Sequence, residues 1–201
     1  MATPGSSEVF LGCSEWDNSN CEGTDVCPPR CPRYIDSAGK AVIIRPLELG
    51  DRRPLQRMYD SFSGGHQTKG LPPATVEERA EWLDRLIEIG WNLVAVIDND
   101  IIGHVAVSPV SADEPEFIIF VHPDFQDRGI GSEMIRQVIA HAASRSHEAL
   151  SLFVSVDNDR AIQVYENIGF KIVQQGLGLK MNLSLDTPIA KEVQLPPADR
   201  P

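Results

Sequence analysis

The stretch between Glu116 and Ser132 limits the fold more than any other part of the chain. An apolar run, Glu116 to Val121, leads into a short polar loop, then to Gly129 and Gly131, and then to an amphipathic pattern. This order predicts a strand, a glycine loop and a helix. Glycine lets a ligand approach the backbone closely, and a helix N-terminus offers unpaired N–H groups with about half a positive charge. The stretch therefore predicts a binding site for a phosphate or pyrophosphate.

Two familiar nucleotide-binding motifs do not fit this loop. A Walker A loop ends in Gly-Lys-Ser/Thr, whereas Gly131 is followed by Ser132 and Glu133. A dinucleotide-binding fingerprint needs a third glycine, and Met134 stands at that position. The loop also lies in the second half of the chain and not in a leading βαβ unit. The anion site is therefore of another kind.

The loop resembles the acyl-CoA pyrophosphate loop of the GNAT acetyltransferase superfamily. That loop has the pattern Gln/Arg-x-x-Gly-x-Gly/Ala, which Gln126, Gly129 and Gly131 match. The end of the preceding strand, Val121-His122-Pro123, also matches the family's Val-x-Pro. A second segment, from Asn158 to Phe170, is similar to the family pattern Asn-x-x-Ala-x-x-x-Tyr-x-x-x-Gly-Phe. Both segments occur in the family order, and the resemblance covers residues from about 41 to 185.

The hydrophobic periodicity agrees with this resemblance, because it predicts the GNAT element order β-α-α-β-β-β-α-β-α-β-β. The predicted elements are strand 41–45, helix 51–62, a helix capped by Thr75 and ended by Gly90, strands 92–97, 101–107 and 116–121, a helix with apolar positions from Ile130 to Ala142, strand 150–156, helix 159–168 and two short strands. The expected fold is a mixed, mostly antiparallel sheet flanked by helices, with central parallel strands that splay apart.

The resemblance implies that the pantetheine arm of CoA lies between strands 116–121 and 150–156. Backbone amides near Phe120 and Val121 would bind the arm and polarise the thioester carbonyl. The pyrophosphate would bind amides between Arg128 and Ser132. The full set of expected cofactor-binding residues is Phe120, Val121, Gln126, Asp127, Arg128, Gly129, Ile130, Gly131, Ser132 and Asn158. Asn158 could also cap the following helix.

Acyl transfer to an amine needs an acid and a base. Tyr165 matches the tyrosine that serves the family as general acid, and a phenol with a pKa of about 10 can protonate a thiolate with a pKa of about 8.5. Glu116 corresponds to a proposed general base in the Pat-type protein-lysine acetyltransferases of bacteria. Glu114 and His122 are alternative bases. Strand alternation places His122 on the same face as Glu116.

The regions outside the predicted domain differ from it in composition. Residues 1–40 are rich in Ser, Gly, Pro, Asp, Asn and Cys, which predicts an irregular extension. Residues 186–201 are Pro-rich and aperiodic, which predicts a disordered tail. All four cysteines, Cys13, Cys21, Cys27 and Cys31, lie in the extension. Clustered thiols predict a tetrathiolate zinc site. Four free thiols, an iron–sulfur cluster and redox chemistry are alternatives.

Composition narrows the class of function. The chain has 201 residues, 42% of them apolar, and a net charge of −11. Such a charge argues against a nucleic-acid partner. The apolar runs are too short for a membrane span, and the first residues lack the pattern of a signal peptide, so we expect no membrane partner and a cytoplasmic location. A homodimer is compatible with the sequence.

Together these patterns predict an N-acetyltransferase that uses acetyl-CoA as cosubstrate. The acetyl group would pass to a primary amine by direct attack in a ternary complex. The acceptor would be a protein lysine or a small amine, and the resemblance at Glu116 slightly favours lysine. The alternative is a non-catalytic acyl-CoA sensor, or an interaction protein whose Cys-rich extension binds metal.

Overall fold

The computed structural model describes residues 16–62 and 72–200, which form one eight-stranded sheet with helices on both faces. The strands lie in the order β1-β2-β3-β4-β5-β6-β8-β7. Their bounds are β1 Arg33–Ile35, β2 Ala41–Pro46, β3 Trp91–Ile97, β4 Asp100–Ser108, β5 Glu116–Val121, β6 Ala149–Val154, β7 Lys171–Gln175 and β8 Leu179–Ser184. The helices are α1 Arg52–Asp60, α2 Val76–Ile89, α3 Ile130–Ser144, α4 Asp159–Ile168 and α5 Pro188–Glu192.

The sheet separates at its centre. All strand pairs are antiparallel except β5 and β6, which run parallel and share a single registered pair, Glu116 with Ser151. Beyond that pair the two strands diverge. The predicted fold class, a mixed sheet with splayed central parallel strands, is confirmed.

One face of the sheet is covered by α1 and α2. Thr75 caps α2 as predicted, because its hydroxyl accepts from the backbone N–H of Glu78. The rings of Tyr59, Phe62, Trp82 and Phe120 form an aromatic cluster below these helices, with centroid separations of 5.3 to 5.9 Å. Through Phe120, this cluster packs the end of β5 against α1 and α2.

A buried polar chain joins the same layer to β3 and β4. The Asn92 side-chain N–H group donates to the carbonyls of Leu86 and Gly90, so its oxygen is left to accept from His104 Nε2 at 2.9 Å. Nδ1 of His104 then accepts from the Tyr59 hydroxyl at 2.7 Å. Burial lowers the pKa of His104 to about 3, so the ring is neutral. His104 therefore has a structural role, because it links α1 to β3 and β4.

The opposite face carries α3, α4 and α5 over the larger core. The apolar positions predicted for α3 are buried against the sheet: Ile130, Met134, Ile135, Val138, Ile139 and Ala142. Phe117, Tyr165 and Phe170 pack together between β5 and α4. The loop from the carboxyl end of β5 leads into α3. The packing of α3 on the sheet therefore fixes the position of the N-terminus of α3 next to β5.

Both chain ends depart from their predicted irregularity. Residues 33–35 form β1, which pairs with β2 through Tyr34 and Val42. Within residues 186–201, predicted to be a disordered tail, Pro188–Glu192 form α5. Ala190 and Val193 are buried there because they pack on the core around α3. Residues 1–15, with Cys13, lie outside the described residues. In residues 16–62 and 72–200, no helix is long and apolar enough to cross a membrane.

Candidate active site

The divergence of β5 and β6 opens a cleft of about 450 Å³ at the N-terminus of α3. Its walls come from the end of β5, the phosphate loop (residues 126–132) and the first turns of α3 and α4. The lining residues are Phe62, Ile119, Phe120, Val121, Gln126, Asp127, Gly129, Gly131, Ser132, Ile135, Asn158, Arg160, Ala161, Val164 and Tyr165. Most of the residues predicted to bind the cofactor therefore meet in one cleft.

The peptide groups of β5 alternate between its two neighbours. The N–H of His122 donates to the carbonyl of Ile102 on the β4 side, so the registered pair Phe120–His104 is also a hydrogen-bonded one. The amide of Phe120 is thus used in the sheet. The amides of Ile119 and Val121 face the diverging strand β6. Of the two predicted amides, only that of Val121 is open to the cleft.

The phosphate loop ends in backbone that only glycine adopts easily. Gly129 is the N-cap of α3 with φ of +79°, in the left-handed region. Gly131 and Ser132 follow in the first turn, where N–H groups have no partner within the helix. Among the described residues, a Cβ on Gly131 would touch only Val121, at 3.7 Å, so no described side chain covers the cleft side of this turn. The side chain of Ile130 points into the core instead.

An exposed network holds the other end of the loop. The side-chain amide of Gln126 donates to the Val121 carbonyl at 3.0 Å and accepts from Arg160 at 3.1 Å. Arg160 also pairs with Asp127 at 2.8 Å. Sequence reasoning missed Arg160, although its place two residues after Asn158, in the first turn of α4, was a signal. It is a cation that lines the cleft near the phosphate loop.

The Arg128 side chain contacts the loop and the segment behind it, and Arg128 is outside the set of residues that line the cleft. Its guanidinium lies over the Phe125 ring at 4.8 Å, donates to the carbonyl of Asp124 at 2.8 Å and faces Asp36 at 3.7 Å. These contacts shape the loop. Asn158 caps α4, because its side chain accepts from the Ala161 N–H at 3.2 Å, and it also lines the cleft.

Tyr165 lies at the floor of the cleft. Its ring packs on Phe117 and Phe170, with centroids at 6.3 and 5.9 Å, and the residue is 8% exposed. Burial raises the pKa of Tyr165 to about 12. The phenol therefore carries its proton at neutral pH, as an acid that must donate one requires.

Glu116 lies where β5 and β6 still pair, and it is outside the set of residues that line the cleft. Burial raises its pKa, and the charge of Lys180 offsets part of that rise. Its neighbour Glu114 pairs with Lys180 at 3.1 Å. Burial opposes ionisation of Glu114, but hydrogen bonds with Lys180, Asn182 and Ser151 leave its pKa lowered. Glu116 is therefore the better proton acceptor of the two.

The side chain of His122 contacts residues of the loop that follows β5. Its Nδ1 accepts from the backbone N–H of Asp124 at 3.2 Å, and its ring packs on Phe125 with a centroid separation of 5.5 Å. These contacts hold the turn between β5 and the phosphate loop.

Comparisons with known proteins agree with this geometry. Residues 55–170 match the Acetyltransferase (GNAT) family. The chain belongs to the GNAT family. It is an acyltransferase of the N-acetyltransferase type. The L-amino acid N-acetyltransferase AaaT of Escherichia coli is 33% identical over 149 residues, which cover 71% of this chain and 89% of that protein.

A second relative is matched over a smaller part of its length. An uncharacterized N-acetyltransferase of Methanocaldococcus jannaschii is 35% identical over 98 residues, which cover 45% of this chain and 43% of that protein. The chain thus spans less than half of this relative.

Solved GNAT structures share the fold. The GNAT domain of S. lividans PAT superposes with a TM-score of 0.65 at 20% identity and covers 76% of this chain and 96% of its own. The structure of yncA from Salmonella typhimurium with its cofactor acetyl-CoA has a TM-score of 0.57 at 18% identity, covering 72% and 94%.

The cysteines lie outside the GNAT match. Cys31 accepts a hydrogen bond from the Asn18 side chain at 3.2 Å, and the thiol of Cys27 lies 3.3 Å from the Thr24 hydroxyl. Across residues 16–62 and 72–200, no three His, Cys, Asp or Glu residues form a group that could hold a metal. The predicted zinc site at Cys13, Cys21, Cys27 and Cys31 therefore gains no support from the described residues.

Proposed function

We propose that the protein transfers the acetyl group of acetyl-CoA to a primary amine by direct attack in a ternary complex. The observation that carries this proposal is the divergence of β5 from β6 beside the bare first turn of α3. It brings the N–H of Val121, at the end of β5, and the N–H groups of the first turn of α3 to one continuous cleft. Such a cleft suits a ligand with a pyrophosphate at one end and an amide-rich arm at the other.

The phosphate loop would bind the pyrophosphate, and the open amides of β5 would bind the arm. N–H groups of Gly131 and Ser132 meet the phosphates, helped by the charge of Arg160. The Val121 N–H would polarise the thioester carbonyl, since a fixed donor stabilises the negative charge that develops on that oxygen. Acetyl-CoA supplies the activated acetyl group.

Tyr165 and Glu116 would move the protons. Glu116, through direct contact or one water, accepts the proton of the attacking ammonium. The amine nitrogen then bonds to the acetyl carbon as the carbon–sulfur bond breaks. The Tyr165 hydroxyl gives its proton to the leaving thiolate. The second proton that the nitrogen loses as the amide forms then returns to the Tyr165 phenolate, directly or through water. The raised pKa makes Glu116 a stronger base, and burial keeps the Tyr165 hydroxyl protonated until the thiolate forms.

The acceptor would enter beside a polar group that we call the acceptor-side cluster: Glu114, Glu116, Ser151, Lys180 and Asn182. Two carboxylates against one lysine give this cluster a net negative charge, which suits a cationic amine. Both a protein lysine and a small amine fit that description. The E. coli relative is named for L-amino acids.

An acceptor screen tests the proposal. Purified protein and acetyl-CoA are mixed separately with lysine peptides, L-amino acids and polyamines, and release of free thiol is followed. We expect saturable thiol release with at least one class, and Tyr165→Phe should lower it by about two to four powers of ten. Calorimetric binding of acetyl-CoA without acceptor-dependent thiol release in any class would instead favour the non-catalytic sensor.

A further inference from the structure

A segment before the GNAT match lies directly behind the phosphate loop. This supporting segment is residues 30–37, whereas the family match starts at residue 55. Two of its groups donate to one carbonyl of the loop, that of Arg128: the Tyr34 hydroxyl at 3.4 Å and the Ser37 N–H at 3.2 Å. That carbonyl immediately precedes the left-handed Gly129, so these bonds fix the peptide plane on which the first turn of α3 is built.

Tyr34 also fills the space beside Gly129. A Cβ added to Gly129 would collide with the Tyr34 hydroxyl. The side chain of Asp36 is fully buried, accepts from the backbone N–H groups of Ala38 and Lys40, and faces Arg128. The supporting segment therefore holds both the backbone and the side chain of the loop, from the side away from the cleft.

The strongest contact of the segment is electrostatic. Arg30 is buried and donates twice to the Glu133 carboxylate, from Nε at 2.6 Å and from Nη2 at 2.9 Å. Its third bond goes to the carbonyl of Val193, just after α5, at 2.8 Å. Glu133 is the acidic residue of the first turn of α3, next to Gly131 and Ser132 of the cleft.

A carboxylate in that turn opposes the function proposed for it. Negative charge near a helix N-terminus neutralises the partial positive charge that favours an anion. A phosphate bound to the same turn would meet the Glu133 charge across a partly dry interior, where screening by solvent is weak. The bidentate Arg30 offsets this charge from close contact, and Arg136 faces the same carboxylate from 3.8 Å.

We infer that Arg30 is a positioning residue for the CoA phosphates, acting through Glu133, and that Tyr34 supports the same site through the Arg128 carbonyl. Neither residue touches the cofactor. This inference rests on the proposed placement of the CoA pyrophosphate at residues 129–132. It assigns a role in cofactor affinity to a segment outside the family match.

Charge substitution separates this role from simple structural support. CoA binding is measured by calorimetry at pH 8 for Arg30→Gln, Glu133→Gln and the double variant. Arg30→Gln should weaken CoA binding about three- to thirtyfold, the range expected for a charge at a helix N-terminus. Glu133→Gln alone should leave CoA binding unchanged or tighter. The double variant should bind CoA within about twofold of wild type.

The opposite pattern overturns the inference. If Arg30 and Glu133 acted only by holding α3 in place, Glu133→Gln would weaken CoA binding and the double variant would not recover it. Arg33→Gln is the matched control, because Arg33 belongs to the same segment but stacks over the Trp16 ring, 4.9 Å from its centroid. It should change CoA affinity by less than about twofold.

A phosphate-free donor gives an independent readout. S-acetylpantetheine lacks the pyrophosphate, so its KM as donor should be the same in wild type and Arg30→Gln. An equal rise in KM for both donors would overturn the electrostatic role.

If Arg30→Gln does not fold, three other variants test the inference: Glu133→Gln, the double variant and Tyr34→Phe. Tyr34→Phe should raise the KM for acetyl-CoA alone. Wild type that fails to bind CoA at all would instead refute the proposed function.

Discussion

At the end of the cleft where we propose that the phosphates bind, the ligand would meet peptide N–H donors from one short stretch, residues 129–132. At the proposed acceptor end it would meet side chains from three strands and a loop, gathered in the acceptor-side cluster. A backbone site needs glycine and a helix start, which leave a local pattern in the sequence. A side-chain site depends on tertiary contacts such as Glu114 with Lys180, which are 66 residues apart (180 − 114). A backbone site of this kind can be recognised from the sequence alone, whereas the side-chain site cannot.

The largest effect is expected from a substitution that removes a proton donor and leaves the phosphate end and the acceptor end of the cleft unchanged. Tyr165→Phe removes one oxygen from the cleft floor, so turnover should fall by about two to four powers of ten. Acetyl-CoA affinity should change little, because the ring contacts with Phe117 and Phe170 remain. Steady-state thiol release and calorimetry on the same preparation test this. A loss of affinity as large as the loss of turnover would assign Tyr165 to binding.

The next effect concerns the base at the acceptor end. Glu116 must be deprotonated to accept a proton, so the wild-type rate should fall as pH drops through its raised pKa. Glu116→Gln should lower turnover about ten- to a hundredfold near neutral pH. High pH should partly restore the rate, since the amine is then already deprotonated. A variant with wild-type rates at every pH would give the role to Glu114, His122 or water.

A smaller effect is expected at the phosphate end. Gly131→Val places branched carbons over the bare first turn of α3, so acetyl-CoA binding should weaken at least tenfold, about 1.4 kcal/mol. Gly131→Ala is the matched control, because its Cβ makes only an ordinary contact with Val121. It should lose less affinity. Unchanged affinity in folded Gly131→Val, measured by calorimetry, would remove the pyrophosphate from this turn.

The smallest effect tunes the acceptor end without removing a reacting group. Glu114→Gln deletes a negative charge beside Glu116 and frees Lys180 from its partner. Both changes favour the ionised form of Glu116, so its pKa should fall. The acidic limb of the pH–rate profile should therefore move to lower pH. A shift to higher pH would contradict the assignment of this limb to Glu116.

Much of the phosphate end was predictable from the sequence. The bounds of β5 and α4 and the Thr75 cap agree with the structure, because each depends on local periodicity or capping. The positions of Gly129, Gly131 and Tyr165 followed from family patterns. Their roles in binding and catalysis remain predictions.

The parts that could not be predicted depend on distant partners. The tail 186–201 looks disordered because it is short and Pro-rich, yet α5 gains its order from packing on α3. The side chain of Arg128 turns from the phosphate site because Asp36, far away in sequence, attracts it. Arg160 joins the cleft only because α4 lies opposite the phosphate loop.

Arg30 connects the segment before the family match and the segment after it to one helix, α3. It binds Glu133 on α3 and the carbonyl of Val193, so segments near both termini close on the first turn of α3. The unit that folds is therefore larger than the family match of residues 55–170. A version trimmed to residues 41–185 would keep every recognisable motif but bury the Glu133 carboxylate without its bidentate partner, leaving it Arg136 at 3.8 Å. Its melting temperature should drop, because the contacts of Arg30 lie outside the domain limits that the motifs define.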